Sequence, residues 1–338
     1  MWLTSSSIGR KLIMAVTGAC LVLFVTFHVL MNAVAILWPG AYNQICAFLG
    51  ANWYALIASA GLGALFVLHI IYALWLTLQN RKARGNNRYA VTSTPKSVEW
   101  SSKNMLVLGI VVLAFLAVHM IQFWYKMQWQ EIWGHWYSID GVTVPAAAGT
   151  LFIHLAFQSW WTPVVYIIGF IALWFHMNHG FWSMFQSTGW NNTCWLPRLK
   201  KIASAWTTIV IGLFTVQALW FTYEAKSGTY LNDIKLNDQY LEMYNKEFQK
   251  EAMEIQQNAP NQFDPKAQAE IEAAQLKTLR SIKAFAPKAF LKLGIPAEYL
   301  EEAEKDNTAA EETAVEPEVS DESDSVAIEV NQEEPANN

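Results

Sequence analysis

Long apolar runs alternate with short polar segments through residues 1–224 and predict five membrane-spanning helices. A helix rises about 1.5 Å per residue, so about 20 apolar residues cross the roughly 30 Å hydrocarbon core of a bilayer. Each run reaches this length, and none has an acidic residue near its middle. The predicted fold is an all-α membrane bundle of five helices, at approximately residues 12–37, 52–79, 105–127, 162–186 and 202–223.

The chain becomes polar beyond residue 224. Residues 233–258 and 264–286 carry Leu, Met, Tyr and Phe at helical spacing, which predicts two amphipathic helices. The end of the chain is acidic and has almost no basic or aromatic residues, which predicts disorder. We therefore expect a transmembrane domain, an extramembrane helical tail and a disordered tail, at residues 1–224, 225–305 and 306–338.

Charge predicts the orientation of the bundle. The net charge is −5, but basic residues cluster at Arg10 and Lys11, in the 80–104 segment and at 198–201. Segments 38–51 and 128–161 have almost no basic residues. Because basic loops stay on the cytoplasmic side, we expect a cytoplasmic N-terminus and, after five crossings, a periplasmic tail. The first run is longer than a signal-peptide core, so we expect it to be a retained span.

Each of the first four apolar runs contains a candidate histidine: His28, His69, His119 and His176. Ionisable side chains are rare inside membranes and usually functional. Imidazole is a common axial ligand of haem iron, so four histidines are enough to bind two b-type haems. By helical rise, the first and third histidines lie about 25 Å from the cytoplasmic boundary, and the other two lie closer to it. We therefore expect His28 to pair with His119 in an outer haem site, and His69 with His176 in an inner one.

Other interpretations of these residues stay open. A single buried histidine is often only hydrogen-bonded to a neighbouring helix. Zinc or non-haem iron would need converging ligands, commonly with carboxylate or thiolate, and Cys20, Cys46 and Cys194 form no C-x-x-C pair. His179 lies one turn after His176 and is a rival fourth ligand. We expect the remaining histidines, His135 and His154, at the surface or the membrane interface, where a histidine could also shuttle protons for a quinone.

Four strings around the histidines carry a family resemblance: FHVLMN, LHIIYALWL, FLAVHMIQFW and FHMNHGFWSMFQSTGW. They resemble the cytochrome b subunit of succinate dehydrogenase and fumarate reductase complexes, in its single-subunit, five-helix, di-haem form. The last string matches best, since the family has a ligand histidine, a glycine four residues later, then an apolar and an aromatic residue. Here these are His176, Gly180, Phe181 and Trp182. The resemblance selects His176 over His179, pairs the first histidine with the third and the second with the fourth, and does not extend into the tail.

The resemblance implies a membrane anchor and electron-transfer subunit in the bacterial cytoplasmic membrane. Its partners would be a flavoprotein subunit with FAD and an iron–sulfur subunit, both on the cytoplasmic face. The chain has no Gly-rich dinucleotide fingerprint and no cysteine cluster, so it would perform no succinate chemistry itself. No nucleic-acid partner is implied, and the resemblance is compatible with a single complex or a dimer of complexes. The docking surface would be the 80–104 segment, unless its charges only reflect orientation: Arg81, Lys82, Arg84, Arg88 and Lys96.

Two-haem members of this family typically use menaquinone near the outer haem. We therefore expect quinone contacts at the outer ends of the first three spans, from Asn32, Asn52, Trp53 and Gln122. Aromatic residues there are also expected simply as an interfacial belt. The tail would pack against residues 128–161, shield the quinone entrance, bind another respiratory complex, or have no essential role.

Two rival functions remain. The first is a di-haem cytochrome b subunit of another quinone-linked dehydrogenase, such as a formate dehydrogenase or hydrogenase. The second is a transporter that uses buried histidines as a proton relay, although such proteins more usually have intramembrane carboxylates or broken helices. One histidine in each of four spans and the His-x-x-x-Gly string at 176–180 favour the succinate family.

Overall fold

The computed structural model describes residues 6–84, 99–190, 192–261, 263–296 and 299–300. The predicted disordered tail at 306–338 lies outside the described residues, as do Arg88 and Lys96. The structure is about 85% helical. In chain order the elements are α1 (Ser7–Leu37), α2 (Pro39–Ala51), α3 (Trp53–Arg84), α4 (Trp100–Gln122), a π-helical turn (Tyr125–Trp129), α5 (Gln130–Ile132), β1 (Tyr137–Ile139), β2 (Val142–Val144), α6 (Gly149–Gln158), α7 (Trp161–Met184), a 3-10 turn (Phe185–Thr188), α8 (Trp195–Ser227), α9 (Thr229–Asn232), α10 (Ile234–Asn258), α11 (Pro265–Phe285) and α12 (Pro287–Lys292).

Five helices of the described chain are long and apolar enough to cross a membrane: α1, α3, α4, α7 and α8. They coincide with the five predicted runs, and the chain is an all-α, multi-pass membrane protein by this measure. The helices extend beyond some of the runs. α8 begins at Trp195 rather than near residue 202, because an apolar run marks only the hydrocarbon-buried part while the helix continues through Arg198 and Lys200.

Successive spanning helices alternate in direction, so the bundle has two ends. We name the end at which α1, α4 and α8 begin the basic end, because Arg10, Lys11, Arg198 and Lys200 lie there. The opposite end carries α2, the β1–β2 hairpin, α6 and α9–α12, which we together name the cap. The described residues up to Gly294 form one compact unit, so the tail helices pack with the outer segments of the bundle.

The cap contains a tight hairpin that hydropathy alone did not predict. β1 and β2 pair antiparallel, with Tyr137 opposite Val144 and Ile139 opposite Val142. The two residues between them, Asp140 and Gly141, have φ values of 49° and 78°. Positive φ at both central positions is the requirement of a type I′ turn, which Asp-Gly satisfies at low cost. The hairpin therefore presents β2 to the tail helices.

Buried hydrogen bonds join the tail helices to the outer segments. The Asn43 amide oxygen in α2 accepts bonds from the Thr150 backbone N–H (3.0 Å) and hydroxyl (2.8 Å) at the start of α6. The Thr150 hydroxyl also lies 2.7 Å from the Tyr240 hydroxyl of α10. Further along α10, Tyr244 donates to the Thr143 carbonyl of β2 at 2.6 Å. Among the roles considered for the tail, packing against residues 128–161 is the one observed.

Replacing Asn43 with alanine is expected to destabilise the cap. Asn43 is fully buried, and its loss would leave both Thr150 donors without their acceptor. Each buried polar group left unpaired costs about 1–3 kcal/mol, so we expect a loss of roughly 2–3 kcal/mol and a lower thermal denaturation midpoint for the detergent-solubilised chain. Asn258→Ala, at the exposed end of α10, is the control. An unchanged midpoint for Asn43→Ala would contradict this role.

Cysteine labelling tests the predicted orientation. Cys194 is exposed and lies at the basic end, directly before α8. Cys46 lies in the cap, where burial raises the pKa of its thiol to about 12, so the thiol is protonated and unreactive near neutral pH. With a cytoplasmic N-terminus, an impermeant maleimide should label Cys194 only after spheroplasts are permeabilised. Cys194→Ser should abolish the signal, and labelling of Cys194 in intact spheroplasts would reverse the orientation.

Candidate functional site

A large cavity runs through the bundle between α1, α3, α4 and α7. Its volume is about 1420 Å³, above the roughly 300–1,000 Å³ of an ordinary small-molecule pocket. It extends from Lys11 and Asn80 at the basic end to Tyr42 and Glu131 at the cap. Five histidines line it: His28, His69, His119, His176 and His179. The cavity is therefore large enough for more than one ligand.

His28 of α1 lies beside His119 of α4, and this pair is the one nearer the cap. The ring centres of His28 and His119 are 5.8 Å apart, and their planes are inclined by 80°. The His28 ring also stacks on Phe24 at 5.5 Å and lies 5.8 Å from Phe214. The ring pair thus occupies the cap-side half of the cavity between apolar neighbours.

The second pair lies nearer the basic end. The ring centres of His69 in α3 and His176 in α7 are 6.3 Å apart, and their planes are inclined by 65°. The two pairs are the same ones that helical rise predicts from the sequence. The role of these four residues as haem ligands is a prediction that no comparison tests.

In both pairs the distance between the ring centres suits two imidazoles that would bind the same iron. An imidazole nitrogen lies about 1.1 Å from its ring centre and binds a first-row metal at about 2 Å, so two ligating rings have centres roughly 6 Å apart. The observed separations are 5.8 and 6.3 Å. Within the described residues, no group of three or more His, Cys, Asp or Glu side chains is placed to hold a metal ion. A haem iron needs only two protein ligands, because the porphyrin provides the others.

The His119 ring is connected to a buried chain of hydrogen bonds. Its Nδ1 lies 3.1 Å from the Tyr166 hydroxyl of α7. Tyr166 donates to the Gln122 amide oxygen at 2.9 Å, and the Gln122 amide nitrogen donates to the Thr162 hydroxyl at 3.1 Å. Tyr166, Gln122 and Thr162 are all buried. Because Tyr166 gives its proton to Gln122, its oxygen is left to accept the Nδ1–H of His119.

The His69 ring has a simpler partner in α1. Its Nδ1 lies 3.2 Å from the Thr17 hydroxyl. That hydroxyl also lies 2.9 Å from the Ile13 carbonyl and 3.1 Å from the Met14 carbonyl, to which it donates. The Thr17 oxygen therefore accepts the Nδ1–H of His69. In contrast, the buried His176 Nδ1 has no hydrogen-bond partner among the described residues.

Two glycines lie against the inner histidine pair. A Cβ atom built on Gly18 of α1 would be 3.6 Å from His69 Cε1, and one built on Gly109 of α4 would be 3.6 Å from His176 Cε1. Both glycines line the cavity. A methyl group would be in ordinary contact there, but a longer side chain would extend towards the ring or into the cavity beside it.

His179, the rival fourth ligand, points towards the basic end. Its Nδ1 lies 3.6 Å from the Glu99 carboxylate, and its ring packs against Trp182 at 4.9 Å. Lys200 pairs with Glu99 at 2.6 Å. Burial alone raises the pKa of Glu99, but the hydrogen bond and charge of Lys200, together with the nearby His179, outweigh it and hold this pKa below its usual value. His179 thus lines the same cavity as the His69–His176 pair, but its Nδ1 faces Glu99.

The two remaining histidines lie in the outer segment, in different environments. His135 is exposed, as expected of a surface residue. His154 is buried rather than at the surface, because its side chain is only 5% exposed. It belongs to α6, most of which is buried between α2, α8 and the tail helices. The hydropathy pattern did not predict this burial, because the packing partners are far away in the sequence.

The four predicted quinone contacts occupy dissimilar places. Asn32 lines the cavity. The Asn52 side chain accepts a bond from the Tyr54 backbone N–H at 2.9 Å, and Trp53 is 59% exposed beside the Tyr54 ring. Gln122 is buried in the chain of bonds behind His119. The structure therefore does not bring these four residues together at one site.

The predicted docking surface at the basic end is described only in part. Arg81 and Lys82 are exposed at the end of α3, while Arg88 and Lys96 lie outside the described residues. Docking of partner subunits there stays a prediction.

Sequence reasoning missed Thr17, Gly18, Gly109 and Tyr166. The available signal was the placement of polar or small residues inside apolar runs, but only contacts between helices distinguish those that face a histidine.

Comparisons with family models, with curated proteins and with solved structures each gave no match to this chain. The functional assignment therefore depends on the residues and geometry described above.

Proposed function

We propose that this chain is the membrane anchor and electron-transfer subunit of a succinate:quinone oxidoreductase and that it binds two b-type haems. The observation that carries the proposal is the cavity with two histidine pairs at two depths, each spaced as two ligands of one iron. The resemblance of the strings around these histidines to the cytochrome b subunit of succinate dehydrogenase and fumarate reductase supports the substrate class.

The spacing of the two pairs suits electron transfer along the membrane normal. The His69 ring lies against Gly18, and His28 is ten residues further along the same helix. Gly109 and His119 repeat this spacing on α4. Ten helical residues rise about 15 Å, which is about half of the hydrocarbon thickness. Bound haem would supply one-electron redox chemistry at both levels.

The chain's own residues would bind and orient the two groups. The histidines supply neutral imidazole nitrogen. Tyr166 and Thr17 hold the rings of His119 and His69, and Gly18 and Gly109 leave space beside the rings of His69 and His176. The apolar lining excludes water from the ligands and so favours tight haem binding. Under this proposal the flavoprotein and iron–sulfur subunits dock on the basic end, and a quinone, menaquinone by family resemblance, reacts near the cap.

The decisive experiment is a haem assay with a reduced-minus-oxidised spectrum of the purified full-length chain. We expect about two b-type haems per polypeptide. A chain without haem would reject the proposal and favour a proton-relay transporter.

A second measurement distinguishes the substrate class. In anaerobic membranes that contain the native complex, succinate should reduce the haems, whereas formate and hydrogen should not. Reduction by formate or hydrogen alone would assign the chain to another quinone-linked dehydrogenase.

A further inference from the structure

Two of the five cavity histidines have a hydroxyl group from a neighbouring helix at Nδ1. Tyr166 of α7 faces His119, and Thr17 of α1 faces His69. The two contacts involve different residue types and lie in different halves of the bundle. In both, a hydroxyl oxygen faces the Nδ1 atom of a histidine. In both cases the hydroxyl proton is engaged elsewhere, by Gln122 or by a backbone carbonyl of α1. The oxygen therefore serves as an acceptor.

An acceptor at Nδ1 determines which nitrogen of the ring carries the proton. With the proton on Nδ1, the Nε2 lone pair is free to bind a metal, and the hydrogen bond fixes the ring plane. The opposite tautomer would place the proton on Nε2 and prevent ligation. A ligating histidine usually has such a partner, and the bond increases electron donation by the imidazole to the metal.

We propose that Tyr166 and Thr17 are positioning residues. Each of them orients one histidine ligand and thereby lowers the reduction potential of the haem that this histidine binds. This inference rests on the proposed function. It also gives Gln122 a role different from quinone binding, because its amide oxygen is hydrogen-bonded to Tyr166 and its amide nitrogen to Thr162. The bond from Tyr166 to Gln122 keeps the tyrosine hydroxyl turned as an acceptor towards His119.

The two histidines of the inner pair differ in what supports their Nδ1 atoms. His176 packs on Gly109 through the same contact that His69 makes with Gly18. Thr17 directly precedes Gly18, but the residue before Gly109 is the apolar Leu108. The buried His176 Nδ1 accordingly has no partner among the described residues. Thr17 is thus the hydroxyl that supports a ligand of the inner pair.

The test uses Tyr166→Phe and Thr17→Val in the full-length, haem-loaded chain. Redox titration should give a higher midpoint potential for one haem in each variant, because a weaker imidazole donor stabilises ferric iron less. Tyr166→Phe should affect only the haem that His119→Ala removes, and Thr17→Val only the haem that His69→Ala removes. Electron paramagnetic resonance of the oxidised protein should show an altered signal for the same haem.

Matched controls come from the same helices or residue types. Tyr72→Phe removes another buried tyrosine hydroxyl, in α3. Thr26→Val removes a hydroxyl of α1 that bonds to Val22 and Trp206 rather than to a histidine. Both controls should keep the two wild-type potentials, and a shift in the controls as large as in the test variants would overturn the assignment.

The outcomes separate this inference from the proposed function. A wild-type chain without haem rejects the proposed function before any variant is made. Two haems with unchanged potentials in both test variants overturn only the positioning role. Loss of just the His119-bound haem in Tyr166→Phe supports the role. If that variant does not fold, Gln122→Met provides the test: a shift of the same haem supports the role, and unchanged potentials overturn it.

Discussion

Replacing His28 or His119 with alanine is expected to remove one and the same haem, so that the purified chain retains about one haem instead of two. The two rings face each other at 5.8 Å, so each would supply one ligand of the same iron. Replacing His69 or His176 should remove the other haem, because these rings form the second pair at 6.3 Å. Haem content per chain and the remaining midpoint potential identify which haem is lost.

Three other histidines provide controls for this experiment. His135 is exposed, His154 is buried in α6, and His179 is directed towards Glu99. Alanine at any of them should leave two haems per chain. The pairing would be refuted if His28→Ala and His69→Ala removed the same haem, or if His179→Ala removed one while His176→Ala kept both.

Leucine at Gly18 or Gly109 is expected to abolish binding of the inner haem while the outer haem remains. A Cβ atom at these positions already lies 3.6 Å from the His69 or His176 ring. The additional carbons of leucine would therefore occupy cavity space beside the ring and displace the ring or the haem. The measurement is again haem content, with the potential of the remaining haem as the marker of its identity.

Graded substitutions make this prediction specific. Gly18→Ala and Gly109→Ala should keep both haems, because a methyl group at 3.6 Å makes only ordinary contact. Gly212→Leu in α8 is the control for a leucine in a spanning helix, since a Cβ there meets nothing within 4 Å. Equal haem loss in Gly212→Leu would indicate a general folding defect, and full haem content in Gly18→Leu would exclude a close approach of haem at this level.

The spanning helices and the long tail helices could be predicted from the sequence. An apolar run of more than about 20 residues must cross the membrane or be buried, so hydropathy locates it without knowledge of its neighbours. The amphipathic patterns at 233–258 and 264–286 correspond to α10 and α11. Helix ends were less predictable, because basic residues such as Arg198 continue α8 beyond its apolar part.

Most of the packing within the cap could not be predicted from the sequence. α6 is short and apolar, and its burial depends on α8 and on tail helices more than 60 residues away. His154 is buried rather than at the surface for this reason. The bond from Thr150 to Asn43 joins residues 107 positions apart, and no local period predicts such a contact.

The sequence by itself determined how many apolar helices there are, the alternation of their directions and the depth of each histidine, because helical rise is constant along every span. It therefore predicted which histidines share a level. Only the tertiary structure decided which residues face those rings, since that depends on the rotation of each helix about its axis and on its neighbours. Tyr166, Thr17 and the two glycines acquire their places from contacts between helices, and the Nδ1 of His179 faces Glu99.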